Sequence, residues 1–316
     1  MKQAFLISLF IILTACGGGG GGSVNVNPTG YDFTTTRSLT RGMVSVIDFN
    51  SLGQTPDVHS EEVAFTSEKL YGGFNFSQNA STDAFSVASD TLYSATDLNA
   101  TITSSHITSG PTSVTTANTL SSTNYTYGYY DSSIGQNIYV QLIIPTNYPN
   151  QTWFYWDNDN YRGSNALVSN IAISGTFTPF ASIPSSGTAT YTGGMEGFYN
   201  LQNDAYVSVL NGAASFSVNW ATNKISGSFS SITETKNGAV TSFNNLTMPE
   251  TDIVSSTYGS YASFNGDLTG TGFTYNPYNN IEGTFMGSSY ESIGGVWEIQ
   301  NNGATGAGAG YFAVKK

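Results

Sequence analysis

Apolar side chains return at every second position through long stretches of this 316-residue chain, and that period decides what it can fold into. Ala214, Phe216, Val218 and Trp220 fall on one side of an extended chain, with Ser215, Ser217 and Asn219 on the other. Ala262, Phe264, Gly266 and Leu268 alternate with Ser263, Asn265, Asp267 and Thr269. Ile281, Gly283 and Phe285 alternate with Glu282, Thr284 and Met286. A period of two with one apolar side belongs to a half-buried antiparallel strand. Turn formers punctuate the runs: Ala221-Thr222-Asn223, Asn237-Gly238, Asn276-Pro277 and Asn301-Asn302-Gly303. No long stretch has the 3.6-residue period of a helix. The expectation is an all-β chain.

The strands group into two parts. Phe180 to Gly187 is a turn-rich link, and beyond it eight strand stretches follow: roughly 187–199, 212–220, 223–233, 238–247, 260–275, 280–287, 294–300 and 308–315. Eight antiparallel strands close a small barrel whose inside is filled by side chains. Phe216, Val218, Trp220, Ile225, Phe229, Phe264, Phe285 and Phe312 are expected to fill it. Before the link, residues 28–180 read as a separate β domain, with strands at Met43 to Asp48, Ile138 to Ile144 and Ile171 to Phe177. The Ser/Thr-rich stretch 111–122 reads as a loop between strands.

The start of the chain has a different character. Met1-Lys2-Gln3 holds one positive charge, and Ala4 to Thr14 is an almost unbroken apolar run of about 11 residues, too short to span a bilayer as a helix. It leads into Leu13-Thr14-Ala15-Cys16, which resembles the lipobox of bacterial lipoprotein precursors. That resemblance implies cleavage before Cys16, a diacylglycerol thioether on its sulfur, and fatty-acyl (palmitate-type) anchoring. Gly17 to Gly22 is then a flexible tether. Gly17 stands where an Asp would imply retention at the inner membrane of a Gram-negative cell, so the resemblance implies the outer membrane.

Composition narrows the chemistry. Charged residues are 9% of the chain against about 25% in ordinary domains. The formal charge is −12, and loss of Lys2 with the signal takes it to −13. Three arginines, Arg37, Arg41 and Arg162, supply no basic face for nucleic acid. A single Cys rules out an internal disulfide framework, and two histidines, His59 and His106, leave little for a His-built metal site. No metal and no cofactor is expected. Asp157-Asn158-Asp159 lacks the downstream ligands of a calcium loop, with Tyr161, Arg162 and Val168 where oxygen, Gly and Glu are needed. Glu234 and Glu291 have nothing to orient them as an acid–base pair, and no nucleophile elbow, P-loop or dinucleotide fingerprint is present.

Four stretches in order along the second half resemble the β-barrel domain of the transferrin-binding protein B family, to which the C-terminal barrel of factor H-binding protein is related. They are Gly187-Thr188-Ala189-Thr190-Tyr191-Thr192-Gly193-Gly194, Ala214 to Phe229, Gly287 to Trp297, and Gly310 to Lys316. The resemblance implies a layout of signal peptide 1–15, lipidated Cys16 with a Gly-rich tether through 27, a handle-like β domain 28–180 and an eight-stranded antiparallel β-barrel 181–316. It implies a non-enzymatic, cell-surface outer-membrane lipoprotein that binds a host or environmental protein or a nutrient carrier. Export would depend on lipoprotein export machinery. Two other readings stand beside it: a structural or adhesive envelope lipoprotein without a discrete ligand, and an envelope hydrolase using carboxylates.

The segment most suited to contact with a partner is Trp153-Phe154-Tyr155-Trp156, followed by Tyr161 and Arg162. Side chains alternate along a strand, so four consecutive aromatics cannot all enter one core. Trp, Tyr and Arg are the residue types that dominate interface energetics. The competing assignment is a sheet packed on both sides.

Cys16→Ser removes the thioether donor, and no other apolar stretch reaches membrane-spanning length. The variant should accumulate as an unlipidated precursor or soluble product. Labelled fatty acid still incorporated into it, with outer-membrane fractionation retained, would refute the anchor.

Overall fold

A computed structural model describes residues 37–39, 41–49, 57–64, 73–79, 84–90, 99–103, 107–115, 120–131, 136–148, 150–161, 166–201, 208–256, 260–273, 279–302 and 306–316. The described chain is built of antiparallel strands in three sheets, and its one described helical turn is a 3-10 turn at Phe180–Ser182.

The smallest sheet joins β1 (Arg37–Leu39), β4 (Gly73–Asn79), β5 (Ala84–Asp90) and β6 (Asn99–Thr103) in that order. A seven-stranded sheet runs β3 (Asp57–Ala64), β2 (Arg41–Phe49), β11 (Ala166–Gly175), β10 (Gln151–Tyr161), β9 (Gln136–Pro145), β8 (Ser121–Asp131) and β7 (Ile107–Thr115). Strand β7 takes up residues assigned to a loop from their Ser/Thr content. Thr is a β-branched residue, and a ladder partner in β8 outweighs the polar composition.

The third sheet is the barrel. Its eight long strands are β12 (Thr188–Leu201), β13 (Ser208–Asn219), β14 (Lys224–Lys236), β16 (Leu246–Asp252), β18 (Ala262–Asp267), β20 (Asn280–Met286), β21 (Ser292–Gln300) and β22 (Gly306–Lys315). Three short pieces, β15 (Ala239–Ser242), β17 (Val254–Ser255) and β19 (Thr269–Gly270), pair with β14, β18 and β16 respectively. The order β18-β20-β21-β22-β12-β13-β14-β16 brings β16 back beside β18. There the Thr251 hydroxyl donates to the Asn265 carbonyl at 2.9 Å, and Met248 packs over Gly266. The stretch 238–247, expected as one strand, is two: the chain breaks at Phe243, whose N–H bonds the Ile232 carbonyl while its ring turns inward against Tyr199 and Phe273.

Local chemistry sets the turns. Asn219 caps the β13–β14 turn by accepting from the Ala221 N–H at 3.1 Å, and Asn223 takes a φ of 51°. Asn237 and Gly238, with φ of 46° and 78°, make the tight two-residue turn into β15. Both angles positive is the hairpin geometry that Asn-Gly favours.

The interior is solid. Phe216, Phe229, Phe264, Phe285, Phe312, Tyr191 and Trp297 are among the largest fully buried side chains. All eight residues expected to point inward belong to this cluster. Phe312 stacks on Phe216 at 5.0 Å, and Trp220 lies 5.3 Å from Phe285 and 5.4 Å from Tyr290.

Strand β13 shows the expected alternation of buried and half-exposed positions. Strands β20, β21 and β22 do not: nearly every residue is buried. The reading of 281–286 as half-buried is therefore corrected. Glu282, Thr284 and Met286 turn away from the barrel interior yet are covered. The reason is that the seven-stranded sheet lies over this side of the barrel, with Ile143, Trp153 and Ile173 meeting Met286, Val296, Ala309, Tyr311 and Ala313.

Trp220 ends the apolar side of β13 at 3% exposure. Trp220→Ala should cost about 3–5 kcal/mol, in line with aromatic truncation in packed cores. A loss under about 1 kcal/mol in denaturant melts would contradict its enclosure.

Candidate functional site

Strand β10 holds the segment singled out by sequence. It sits inside its sheet, with Trp153 opposite Ile143 of β9 on one side and Ile173 of β11 on the other. Trp153 is 1% exposed. Its ring lies 4.4 Å from that of Tyr311 on β22, tilted by 38°. The indole N–H donates to Gln151 Oε1 at 3.3 Å, and Gln151 Nε2 donates to Ser292 Oγ of β21 at 3.0 Å. Gln151 is itself fully buried, so its amide is a polar link through an otherwise apolar contact. Small residues on the barrel make the approach possible. A Cβ on Gly294 would fall 2.6 Å from Gln151 Oε1, and one on Gly193 2.5 Å from the Tyr148 hydroxyl.

Residues 154 and 156 hold strand positions of the opposite parity to 153, and 155 the same parity. The side chains of Phe154, Tyr155, Trp156 and Tyr161 lie outside the described set, as do Arg162 and Cys16 altogether. The structure thus gives a location to one member of the segment, and that member is in the contact between sheet and barrel.

The same contact holds an ionisable group that the sequence reading did not single out. Glu196 of β12 faces outward from the barrel, directly opposite Tyr311 in the β12–β22 ladder. It is 7% exposed. Burial pushes its carboxyl from the ordinary 4.5 up to about 7, opposed by a hydrogen bond from the Tyr311 hydroxyl. The Tyr311 phenol is held well above its usual range, first by burial and then by the charge of Glu196. Tyr148, at the tip of the β9–β10 turn, is pushed up to about 12 by burial. A signal for this was present: 306–314 has small and apolar residues with one Tyr and no charge, the pattern of a strand covered on both sides. Chemically the arrangement is a closed seat. Trp153 packs on Tyr311, the Tyr311 hydroxyl donates to Glu196, and all three are buried.

The other expectations find places as follows. Glu291 sits in a polar turn, accepting from Ser288 Oγ at 3.2 Å and from the Ser289 N–H at 2.9 Å. Glu234 accepts from Ser208 Oγ at 2.5 Å. Among the described residues, no three His, Cys, Asp or Glu side chains assemble as a metal set.

No family model matches the chain, and no curated protein is similar to it. Solved structures are. One is intact Ap-TbpB with its N and C lobes, at 11% identity and a TM-score of 0.46, over 86% of this chain and 46% of that one. A second is a mutant of the vaccine antigen transferrin-binding protein B from Haemophilus parasuis Hp5, at 12% identity and a TM-score of 0.46, over 87% and 44%. A surface lipoprotein matches at 16% identity and a TM-score of 0.37, over 87% of this chain and 98% of that one. The chain spans a little under half the length of the first two.

A carboxyl whose folded value lies above its unfolded value favours folding at low pH. That contribution is complete below 4.5 and is lost as pH rises to about 7. Unfolding free energy should therefore fall across this window by up to about 3 kcal/mol from Glu196 alone. Glu196→Gln should flatten the slope. A variant with the parent's pH profile would show that the carboxyl titrates normally.

Proposed function

We propose that this chain is a lipid-anchored protein of the outer membrane, exposed at the cell surface, whose work is to bind a protein or nutrient carrier without chemical transformation. The observation that carries the reading is the filled barrel. With Phe216, Phe229, Phe264, Phe285, Phe312 and Trp297 fully buried inside it, recognition falls to outer surfaces and loops, which suits a macromolecular ligand. The lipobox-like Leu13 to Cys16 and the glycine run behind it support display at a distance from a bilayer. The similar solved proteins named for transferrin support a carrier protein as the class of ligand.

The contact residues we assign are Phe154 and Trp156, whose strand positions have the parity opposite to Trp153, together with Tyr161 and Arg162 beyond them; Tyr155 shares the parity of Trp153, which holds the strand from beneath. Aromatics and a planar guanidinium offer large contact area with few torsions to freeze. A formal charge near −13 after processing would speed encounter with a basic partner surface.

Immobilised mature protein should retain one protein that rebinds saturably once purified. Trp156→Ala should then weaken that binding by at least about 2 kcal/mol, the hot-spot threshold, with its melting temperature unchanged. Trp153→Ala should instead lower the melting temperature. Failure to retain any saturable ligand would favour the adhesive or structural reading. Full binding by the Trp156 variant would remove the segment from the site.

A further inference from the structure

The stretch between the seven-stranded sheet and the barrel is laced into the barrel wall. Thr176 bonds both parts: its N–H donates to the Asn150 carbonyl at 3.1 Å, and its own carbonyl accepts from the Gly287 N–H at 2.7 Å. Phe177 bridges to Met286 and Pro179 to Tyr261. Phe180 N–H donates to the Ser260 carbonyl at 2.8 Å. Phe177 packs with the sheet–barrel cluster, while Phe180 and Ile183 pack with the barrel interior, so the stretch is anchored in both cores.

Thr178 holds the central place. In the β18–β20 ladder Ser263 stands opposite Thr284, which brings Ala262 opposite Phe285. At that point a peptide group of the link intervenes: Ala262 N–H donates to the Thr178 carbonyl at 2.9 Å, and Thr178 N–H donates to the Phe285 carbonyl at 2.9 Å. The Thr178 hydroxyl donates to the Gly287 carbonyl at 2.7 Å, and the residue has no exposed surface. Strand β18 is held besides by side-chain bonds from β20: the Thr284 hydroxyl donates to the Ala262 carbonyl at 2.9 Å, and Asn265 Nδ2 donates to Glu282 Oε1 at 3.0 Å. Its ladder with β20 covers five residues, Ser263 to Asp267, and its other edge meets the two-residue β17 and the Thr251–Asn265 bond from β16.

We propose that residues 176–180 are a strap by which the seven-stranded sheet holds the barrel shut at β18. The strap's first bond, from Thr176 to Asn150, is made by the turn that also carries Tyr148 and Gln151 onto the barrel. A displacement of that turn pulls on Thr176 and then on Thr178. Loss of the Thr178 peptide bonds leaves the start of β18 on the Thr284 hydroxyl and the two-residue β17, while the adjoining seam with β16 is held by the Thr251–Asn265 bond and, beyond Leu268, by the short β16–β19 ladder. Opening there uncovers Ala262, Phe264 and Leu268, all buried in the closed barrel. The sheet that we assign to ligand binding and the barrel seam are thereby mechanically linked.

The test is hydrogen exchange on the full mature chain, comparing the parent with Thr178→Val and Thr178→Pro. Val keeps the shape and removes the hydroxyl bond, while Pro also removes the N–H that reaches Phe285. The expected result is a graded loss of protection, at least about tenfold for Pro, confined to 260–267 and 284–287. Protection in β12, β13 and β14 should stay at the parent level. Protection of 260–267 unchanged in both variants would overturn the strap. So would an equal loss in all barrel strands, because Thr178 would then contribute only to overall stability. If Thr178→Pro does not fold, the Val variant decides alone, with a local loss of at least about twofold supporting the proposal and none overturning it. Because exchange is read without ligand, failure here leaves the binding reading to its own experiment.

Discussion

A narrow barrel filled with aromatic rings closes only if the wall opposite each ring is thin, and in this chain glycine makes it thin. A Cβ on Gly197 would lie 2.4 Å from Trp297 Cζ2, one on Gly227 2.4 Å from Phe216, and one on Gly283 2.4 Å from Phe264. No side chain tolerates such contacts, so each glycine is half of a ring–backbone pair, on neighbouring strands for Gly227 and Gly283 and across β22 for Gly197. The Trp297 indole shows the arrangement fully, lying across β12 and β22 and donating its N–H to the Tyr311 carbonyl at 3.2 Å. Glycine within strands is unfavourable in itself, and here packing of the rings offsets that cost.

The outer side of the same wall obeys a matching rule. Ala307, Ala309 and Ala313 leave β22 flat enough for a second sheet to seat against it, and Trp153 and Tyr311 fill the remaining gap. A two-sided strand has no room for hydration. Glu196 is therefore enclosed beside a phenol instead of facing water, and its acidity moves accordingly.

The period of two made the all-β class, the barrel strands and the inward residues of 214–220 and 225–229 legible, because one face of each is apolar and the other polar. The two-sided strands were harder. Glu282 and Thr284 look solvent-facing by alternation, yet both are buried, with Glu282 accepting from Asn265 Nδ2 and the Thr284 hydroxyl donating to the Ala262 carbonyl of β18. The break at Phe243 was equally hidden, since its cause is a ring drawn into the interior by Tyr199 and Phe273. For the aromatic segment, alternation could not say which face of β10 meets the barrel. Register with Ile143 and Ile173 decides that for Trp153.

Strand β22 lies between β12 and β21, and also supplies Tyr311 to the contact beneath Trp153. It follows every strand that it completes. A chain emerging from a ribosome has therefore neither a closed barrel nor a seat for its first sheet until residues 306–315 are made, and pairing β12 with β22 waits across more than a hundred residues of intervening chain. Until then the rings that fill the barrel lack the last strand of the wall that encloses them.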